Sequence, residues 1–226
     1  RWAPPFEFLA RTLAPLLERL GAKVDVRLDR HGFYPAGGGA ISVRIEPPAD
    51  GELGELELDE RGDTIARRVR ILLASLDETI ARRELRVVLE RLGWTLDDEA
   101  RERAIERIGP STSPGNAVVL ELDSEHVRET FCAIGAIGVS AEAVAREAAD
   151  EARAYLAARN VPVGPHLADQ LMVPLAIASE RSGRASSFTT LPLSRHATTN
   201  SAIVAAFLGR EPSIERSGDV AVRWSI

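Results

Sequence analysis

The sequence has little cysteine and lysine and no long apolar run. Its 226 residues include one cysteine, Cys132, and one lysine, Lys23. A lone cysteine excludes an internal disulfide and a zinc site built from several thiolates, and it is typical of a reducing compartment, so we expect a cytoplasmic protein. No apolar run is long enough to span a bilayer, so we expect no membrane partner.

The composition is that of a folded protein, with 45% hydrophobic and 27% charged residues, and the length suits one or two domains. Charge is unevenly spread, because residues 48–160 carry 24 acidic and fifteen basic side chains whereas both flanking segments are slightly basic. This asymmetry predicts an acidic unit, residues 51–160, inserted into a core formed by residues 1–50 and 161–226. Overall acidity argues against non-specific affinity for nucleic acid, although a few arginines suffice for a local site.

Hydrophobic periodicity predicts the same order of elements at both ends of the chain. The first copy is a helix at residues 6–20 and strands at 23–30 and 40–45. The second copy is a helix at residues 200–208 and strands at 212–216 and 220–224. Because helix–strand–strand occurs twice, the pattern favours a core of repeated units.

The hydrophobic pattern of residues 51–160 predicts a small unit of mixed helices and strands. Strands are expected at residues 65–74, 117–122 and 129–134, and helices at 77–92, 97–108 and 141–158. No catalytic grouping stands out in this unit.

One helix start places three functional side chain types together. Pro165 suits the first helical position, and His166, Asp169 and Gln170 then follow at spacings i, i+3 and i+4 on one face. A ring, a carboxylate and an amide suit a nucleotide as stacking surface, metal ligand and base-edge partner. The alternative is a solvated polar face with an acid favoured by the helix dipole.

His196 is predicted to lie on a loop between a strand that ends at Pro192 and a helix that begins near Asn200. Free backbone N–H groups at such a helix start favour phosphate, so this histidine suits a nucleophile toward phosphorus or a general base. Arg195 and the hydroxyls of Thr198 and Thr199 would assist it. The alternative is a half-exposed loop histidine beside a threonine N-cap.

The glycine-rich residues 31–39 lack the Gly-Lys-Ser/Thr ending of a phosphate-binding P-loop. They fit an anion cradle, and they fit a connection between the first two strands at least as well.

Five segments together resemble the RNA 3'-terminal phosphate cyclase family. They occur in family order and extend nearly from end to end of the chain: Ala3-Pro4-Pro5 followed by Phe8-Leu9, residues 30–39, Pro114-Gly115-Asn116, residues 166–170, and His196 with Thr199-Asn200. The glycine-rich stretch and the Leu-Ala-Asp-Gln helix are the specific ones, whereas Pro-Gly-Asn alone is weak.

The resemblance implies an α+β fold in which repeated βαβαββ-type units form the core and a small thioredoxin-like α/β domain is inserted. It also implies conversion of an RNA 3'-terminal phosphate to a 2',3'-cyclic phosphodiester through a covalent histidine–AMP intermediate. The expected cofactors are ATP and Mg²⁺ or Mn²⁺, and the expected partner is RNA with a 3'-phosphate end.

The resemblance also assigns roles to individual residues. His196 matches the catalytic nucleophile that takes AMP. Asp169 matches a metal and cofactor contact and Gln170 an adenine contact, while Pro4 and His166 would hold the base between them. The family often has tyrosine at position 166, and an imidazole also stacks on a base.

The family carries a further glycine-rich segment, similar to Gly-Gly-Gly-Gln, that does not occur among residues 1–226. We therefore expect an N-terminally incomplete member that is a poor catalyst alone. One alternative is a non-catalytic relative that binds RNA in ribosomal RNA processing. Another is a structural protein that forms a homodimer through an exposed sheet edge.

Overall fold

In a computed structural model of the chain, the structure describes residues 4–48, 51–109, 111–218 and 220–226. Ala3 of the Ala3-Pro4-Pro5 motif, and residues 49–50 at the first predicted domain boundary, lie outside the described residues.

Helices and strands alternate irregularly along the chain. The helices are α1 (Phe6–Phe8), α2 (Ala14–Arg19), α3 (Glu78–Leu92), α4 (Asp98–Ala104), α5 (Ala141–Ala157), α6 (Pro165–Ser182) and α7 (Arg195–Leu208), and a π-helical turn (Leu9–Leu13) joins α1 to α2. The strands are β1 (Lys23–Arg30), β2 (Ala40–Glu46), β3 (Glu57–Leu58), β4 (Thr64–Ala74), β5 (Ile105–Arg107), β6 (Gly115–Ser124), β7 (Arg128–Ile134), β8 (Ser187–Thr190), β9 (Ser213–Ser217) and β10 (Ala221–Ser225).

One sheet, in the strand order β3-β8-β10-β9, packs with α6 and α7 around a shared core. Helix α6 contributes Leu167, Leu171 and Leu175, which recur every fourth residue and are all fully buried. The rings of Phe188 and Trp224 stack beneath them with centroids 5.3 Å apart. This core fixes the helix face that points inward and therefore the face that remains for a site.

A second sheet, in the order β5-β4-β6-β7, has a core of its own with α3 and α5. Strands β4 and β5 are parallel, whereas β6 pairs antiparallel with both β4 and β7. Every residue of β6 is buried, because it lies in the centre of the sheet and is covered on both faces. The molecule is thus a mixed fold of the predicted α+β class.

Helix–strand–strand does occur at both ends, since β1 pairs antiparallel with β2 and β9 with β10. The β1–β2 pair forms a separate two-stranded ribbon. That these are copies of one unit, and that residues 51–160 are a thioredoxin-like insertion, stays a prediction.

The predicted helix at residues 97–108 is wrong at its end. Helix α4 stops at Ala104, because Ile105–Arg107 pairs with β4 as a parallel strand. A pairing between segments more than 30 residues apart has overridden the local helical pattern.

Within the described part of the chain, no helix combines the length and the apolar character that crossing a membrane requires.

Candidate active site

The first turn of α6 carries three of the predicted site residues. Gly164 is its N-cap, and Pro165 occupies the first position, where the N–H that proline lacks would have no helical partner. With the leucine stripe buried, His166 and Gln170 are exposed and Asp169 is half-buried. The predicted helix face therefore exists and is accessible.

Helix α7 carries His196 on its first turn. It begins at Arg195, so the predicted start near Asn200 is wrong, and His196 is the second helical residue rather than a loop residue. The reason is Ser194, whose hydroxyl accepts the Ala197 backbone N–H at 2.9 Å and caps the helix. The His196 side chain is exposed.

The hydroxyls of Thr198 and Thr199 serve the helix itself. They donate to the backbone carbonyls of Ser194 and Arg195, each at 2.9 Å. Both hydroxyl protons are therefore engaged within the first turns of α7. The two hydroxyls can assist His196 only by accepting hydrogen bonds.

Asp169 on α6 hydrogen-bonds with the N-terminal turns of α7. Ser194 Oγ donates to Asp169 Oδ1 at 2.7 Å, and Asn200 Nδ2 donates to the Asp169 backbone carbonyl at 3.0 Å. His196 lies two residues beyond Ser194, so the nucleophile candidate and the carboxylate candidate belong to one connected group. Among the described residues, the link is through Ser194 and not through a hydrogen bond between His196 and Asp169.

His166 is surrounded by acidic groups. Its Nε2 lies 3.4 and 3.5 Å from the two carboxylate oxygens of Glu151 on α5. The hydrogen bond to Glu151 raises the pKa of His166 above its ordinary value, burial opposes this in part, and the negative charge of Asp169 makes a smaller contribution. The imidazole is therefore more cationic near neutral pH than a free histidine.

Pro4 and Gln170 complete the predicted set. Pro4 is exposed and lies one residue before Pro5, the N-cap of α1, and the π-helical turn that follows α1 packs against α6. Gln170 is exposed, and its side-chain amide makes no hydrogen bond within the described residues, so this amide is available to a ligand. That Pro4 and His166 hold a base between them stays a prediction.

A preformed metal cluster is not part of this site. No group of three or more His, Cys, Asp or Glu side chains among the described residues is arranged to hold a metal ion. Asp169 offers one carboxylate whose Oδ1 already accepts from Ser194. One carboxylate, with phosphate oxygens and water completing the shell, is a normal donor set for Mg²⁺ or Mn²⁺, so the residues fit such an ion.

The glycine-rich loop, residues 31–39, connects β1 to β2. Gly37 N donates to Phe33 O at 2.7 Å, and the Gly37 carbonyl accepts from Thr112 Oγ1 at 2.6 Å. Phe33 packs against Gly115, where an added Cβ would lie 2.1 Å from the ring. The Pro114-Gly115-Asn116 motif thus packs against this loop, and the Gly37 N–H is already paired within it.

The sequence matches the family model described as RNA 3'-terminal phosphate cyclase over residues 1–214. The chain belongs to this family. It is 43% identical to an RNA 3'-terminal phosphate cyclase of Pseudomonas aeruginosa (strain UCBPP-PA14) over 206 residues, which cover 91% of this chain and 57% of the relative.

Two further relatives have the same printed name. That of Koribacter versatilis is 44% identical over 91% of this chain and 55% of its own length. That of Ralstonia nicotianae is 38% identical over 98% of this chain and 60% of its own length. The chain therefore spans somewhat more than half the length of these family members.

Three residues that contact the predicted site residues were not predicted from the sequence. Ser194 left an ambiguous signal, because serine is a strong N-cap residue but Thr198, Thr199 and Asn200 also favour that position. Glu129 and Glu151 left no signal, since they lie 35 and 15 residues from the positions that they contact.

Proposed function

We propose that the chain carries the adenylylation half of an RNA 3'-terminal phosphate cyclase, with ATP as the source of AMP and His196 as the nucleophile. The observation that carries this proposal is the Ser194 bridge, which ties the first turn of α7 to Asp169 on α6. Membership in the family supports cyclisation of an RNA 3'-terminal phosphate as the overall reaction, because the relatives are named for it.

In the first step, a neutral ring nitrogen of His196 attacks the α-phosphorus of ATP. The nitrogen lone pair forms a P–N bond, and the bond between the α-phosphorus and the bridging oxygen breaks with its electrons going to pyrophosphate. The exposed position of His196 at the start of α7 suits this step, because the free N–H groups of a helix start favour phosphate oxygens.

In the second step, an oxygen of the RNA 3'-phosphate attacks the same phosphorus and the P–N electrons return to the His196 ring. The neighbouring 2'-hydroxyl then attacks the 3'-phosphorus, loses its proton to solvent, and displaces AMP. This closure is favoured by proximity, since both groups belong to one ribose. The net products are a 2',3'-cyclic phosphodiester, AMP and pyrophosphate.

The first turn of α6 would bind the rest of the nucleotide. Pro4 and His166 would contact the two faces of adenine, and the exposed amide of Gln170 would contact its edge. Asp169 would hold Mg²⁺ or Mn²⁺, which supplies positive charge to the phosphates. Ser194 keeps the Asp169 carboxylate oriented through its 2.7 Å hydrogen bond.

A cyclisation assay with the full-length natural protein tests this proposal. RNA with a 3'-phosphate is incubated with ATP and Mg²⁺, and the product is scored by resistance to phosphatase. We expect His196→Ala to lower the rate by about 10³-fold or more, as loss of a nucleophile does elsewhere.

The matched control is His126→Ala, another exposed histidine outside the site. A wild-type protein that binds RNA but forms no cyclic product would favour a non-catalytic role in ribosomal RNA processing instead.

A further inference from the structure

Two carboxylates from outside the proposed site converge on the first turn of α6. Glu129 lies on β7 and Glu151 on α5, so both come from residues 51–160, in which the sequence shows no catalytic grouping. One of them contacts the backbone at which α6 starts, and the other contacts a side chain on its first turn.

Glu129 fixes the backbone. Its side chain is buried, and its Oε1 accepts the Gly164 N–H at 2.5 Å. A Cβ added at Gly164 would lie 2.9 Å from the same oxygen, so a larger residue would displace this carboxylate. The start of α6 is thereby anchored to β7.

Glu151 fixes the ring. Both of its oxygens face Nε2 of His166, at 3.4 and 3.5 Å, and a carboxylate only accepts, so Nε2 carries a hydrogen. The His166 side chain is 66% exposed and that of Glu151 41%. The ring is therefore held at one edge while much of its surface remains open to a ligand.

We propose that Glu151 is a positioning residue of the nucleotide site, holding the His166 ring by its Nε2 edge so that the ring face is presented to the adenine base. The inference rests on the proposed function, in which His166 stacks on adenine. Burial raises the pKa of Glu129 on β7 to about 8, so the negatively charged groups that face His166 near neutral pH are Glu151 from α5 and Asp169 from α6. Together they favour the imidazolium form, which attracts an aromatic face more strongly than the neutral ring.

The probe is AMP, titrated into the chain between pH 6 and 9. We expect Glu151→Gln to weaken AMP binding about two- to fivefold at pH 6.5, the range expected for a partly exposed pair. The matched control is Glu147→Gln, which removes the same charge one turn earlier on α5, where the side chain is exposed. It should leave AMP affinity unchanged.

A second pair of variants separates positioning from general stability. In the His166→Phe background, which stacks but offers no Nε2, Glu151→Gln should have no further effect on AMP affinity. In parallel, the His166 ring followed by NMR should titrate at lower pH in Glu151→Gln than in the wild type. Neither result is expected from a glutamate that only stabilises α5.

Equal AMP affinity of Glu151→Gln and Glu147→Gln overturns the inference, as does an undiminished effect of Glu151→Gln in the His166→Phe background. If cyclisation still depends on His196 in that case, the proposed function stands and the inference alone fails. A chain that binds no AMP at any pH overturns the inference together with the nucleotide site on which it rests.

Discussion

At the scale of single residues, the least ordinary group is a buried acid in α3. Glu84 is fully buried, its Oε1 accepts from Asn116 Nδ2, and its Oε2 has no hydrogen-bond partner among the described residues. Burial raises the pKa of Glu84 to about 8, opposed in part by the Asn116 hydrogen bond. At neutral pH this carboxyl is therefore mainly protonated in the folded chain.

This raised pKa predicts a loss of stability with rising pH. Below pH 4.5 Glu84 is protonated whether the chain is folded or unfolded, and its contribution is fully present. Between pH 4.5 and about 8 only the unfolded chain gives up the proton, so the free energy of unfolding falls. We expect Glu84→Gln to remove a few kcal/mol of this fall, measured by urea denaturation at pH 5 and pH 8.5.

The control is Glu90→Gln, an exposed glutamate on the same helix, which should retain the wild-type pH dependence. Some dependence should persist in Glu84→Gln, because burial also raises the pKa of Glu129 to about 8. An unchanged fall in Glu84→Gln would contradict the account of this residue.

Spacing could predict part of the site at this scale. The i, i+3, i+4 pattern placed His166, Asp169 and Gln170 on one face, because the buried leucine stripe of α6 fixes the rotation of that helix. Residue type could not predict a buried Glu84 or Glu129, since glutamate is normally exposed and both contacts join distant segments.

At the scale of elements, the site depends on where α7 begins. Residues 194–200 contain several side chains that favour a helix N-cap, among them Ser194, Thr198, Thr199 and Asn200. Sequence alone could not choose among them. The hydrogen bond from Ser194 to Asp169 stabilises a helix that begins at Arg195. Asp169 lies on a different helix, α6, so the sequence around Ser194 does not reveal this contact.

The double role of Ser194 leads to a prediction about its removal. Ser194→Ala deletes the N-cap and the contact to Asp169 together, so we expect a loss of about 1 kcal/mol in the free energy of unfolding and a slower adenylylation of His196. Stability is measured by urea denaturation and adenylylation by incorporation of AMP.

The matched control is Ser140→Ala. Ser140 caps α5 by accepting from Ala143 N at 3.2 Å, and it has no contact with Asp169. It should lose similar stability without slowing adenylylation. Equal slowing in both variants would mean that the effect comes from stability alone.

At the scale of the whole molecule, the β1–β2 ribbon is the least covered part of the fold. Cross-strand pairs place Val26 opposite Val43 and Leu28 opposite Ile41 on one face. On β2 the residues Ile41, Val43 and Ile45 are all exposed. Exposed apolar strands with unpaired edges tend to associate.

We therefore expect this chain to self-associate through the ribbon, as a homodimer, in sedimentation velocity over a range of concentrations. Val43→Lys should weaken association about tenfold or more, because it puts a charge in the apolar face. The control Ser42→Lys carries the same charge on the opposite face of the same strand and should associate as the wild type does. A strictly monomeric wild type would contradict this expectation.

Sequence patterns predicted the broad class of the molecule but not its sheet pairings. Alternating strands and amphipathic helices sufficed for a mixed α+β fold. The parallel contacts of β3 with β8 and of β4 with β5 could not be predicted, because each joins short segments far apart in the chain. The division at residues 51–160 stays a prediction based on charge.

The most direct test of the central claim is transfer of AMP to His196. The full-length natural protein is incubated with ATP labelled at the α-phosphorus and with Mg²⁺, and the denatured protein is then counted. We expect covalent label that is lost in acid, survives base, does not form with ATP labelled at the γ-phosphorus, and is absent from His196→Ala. Undiminished label in His196→Ala would contradict the account, as would a wild-type full-length protein that binds ATP and takes up no label.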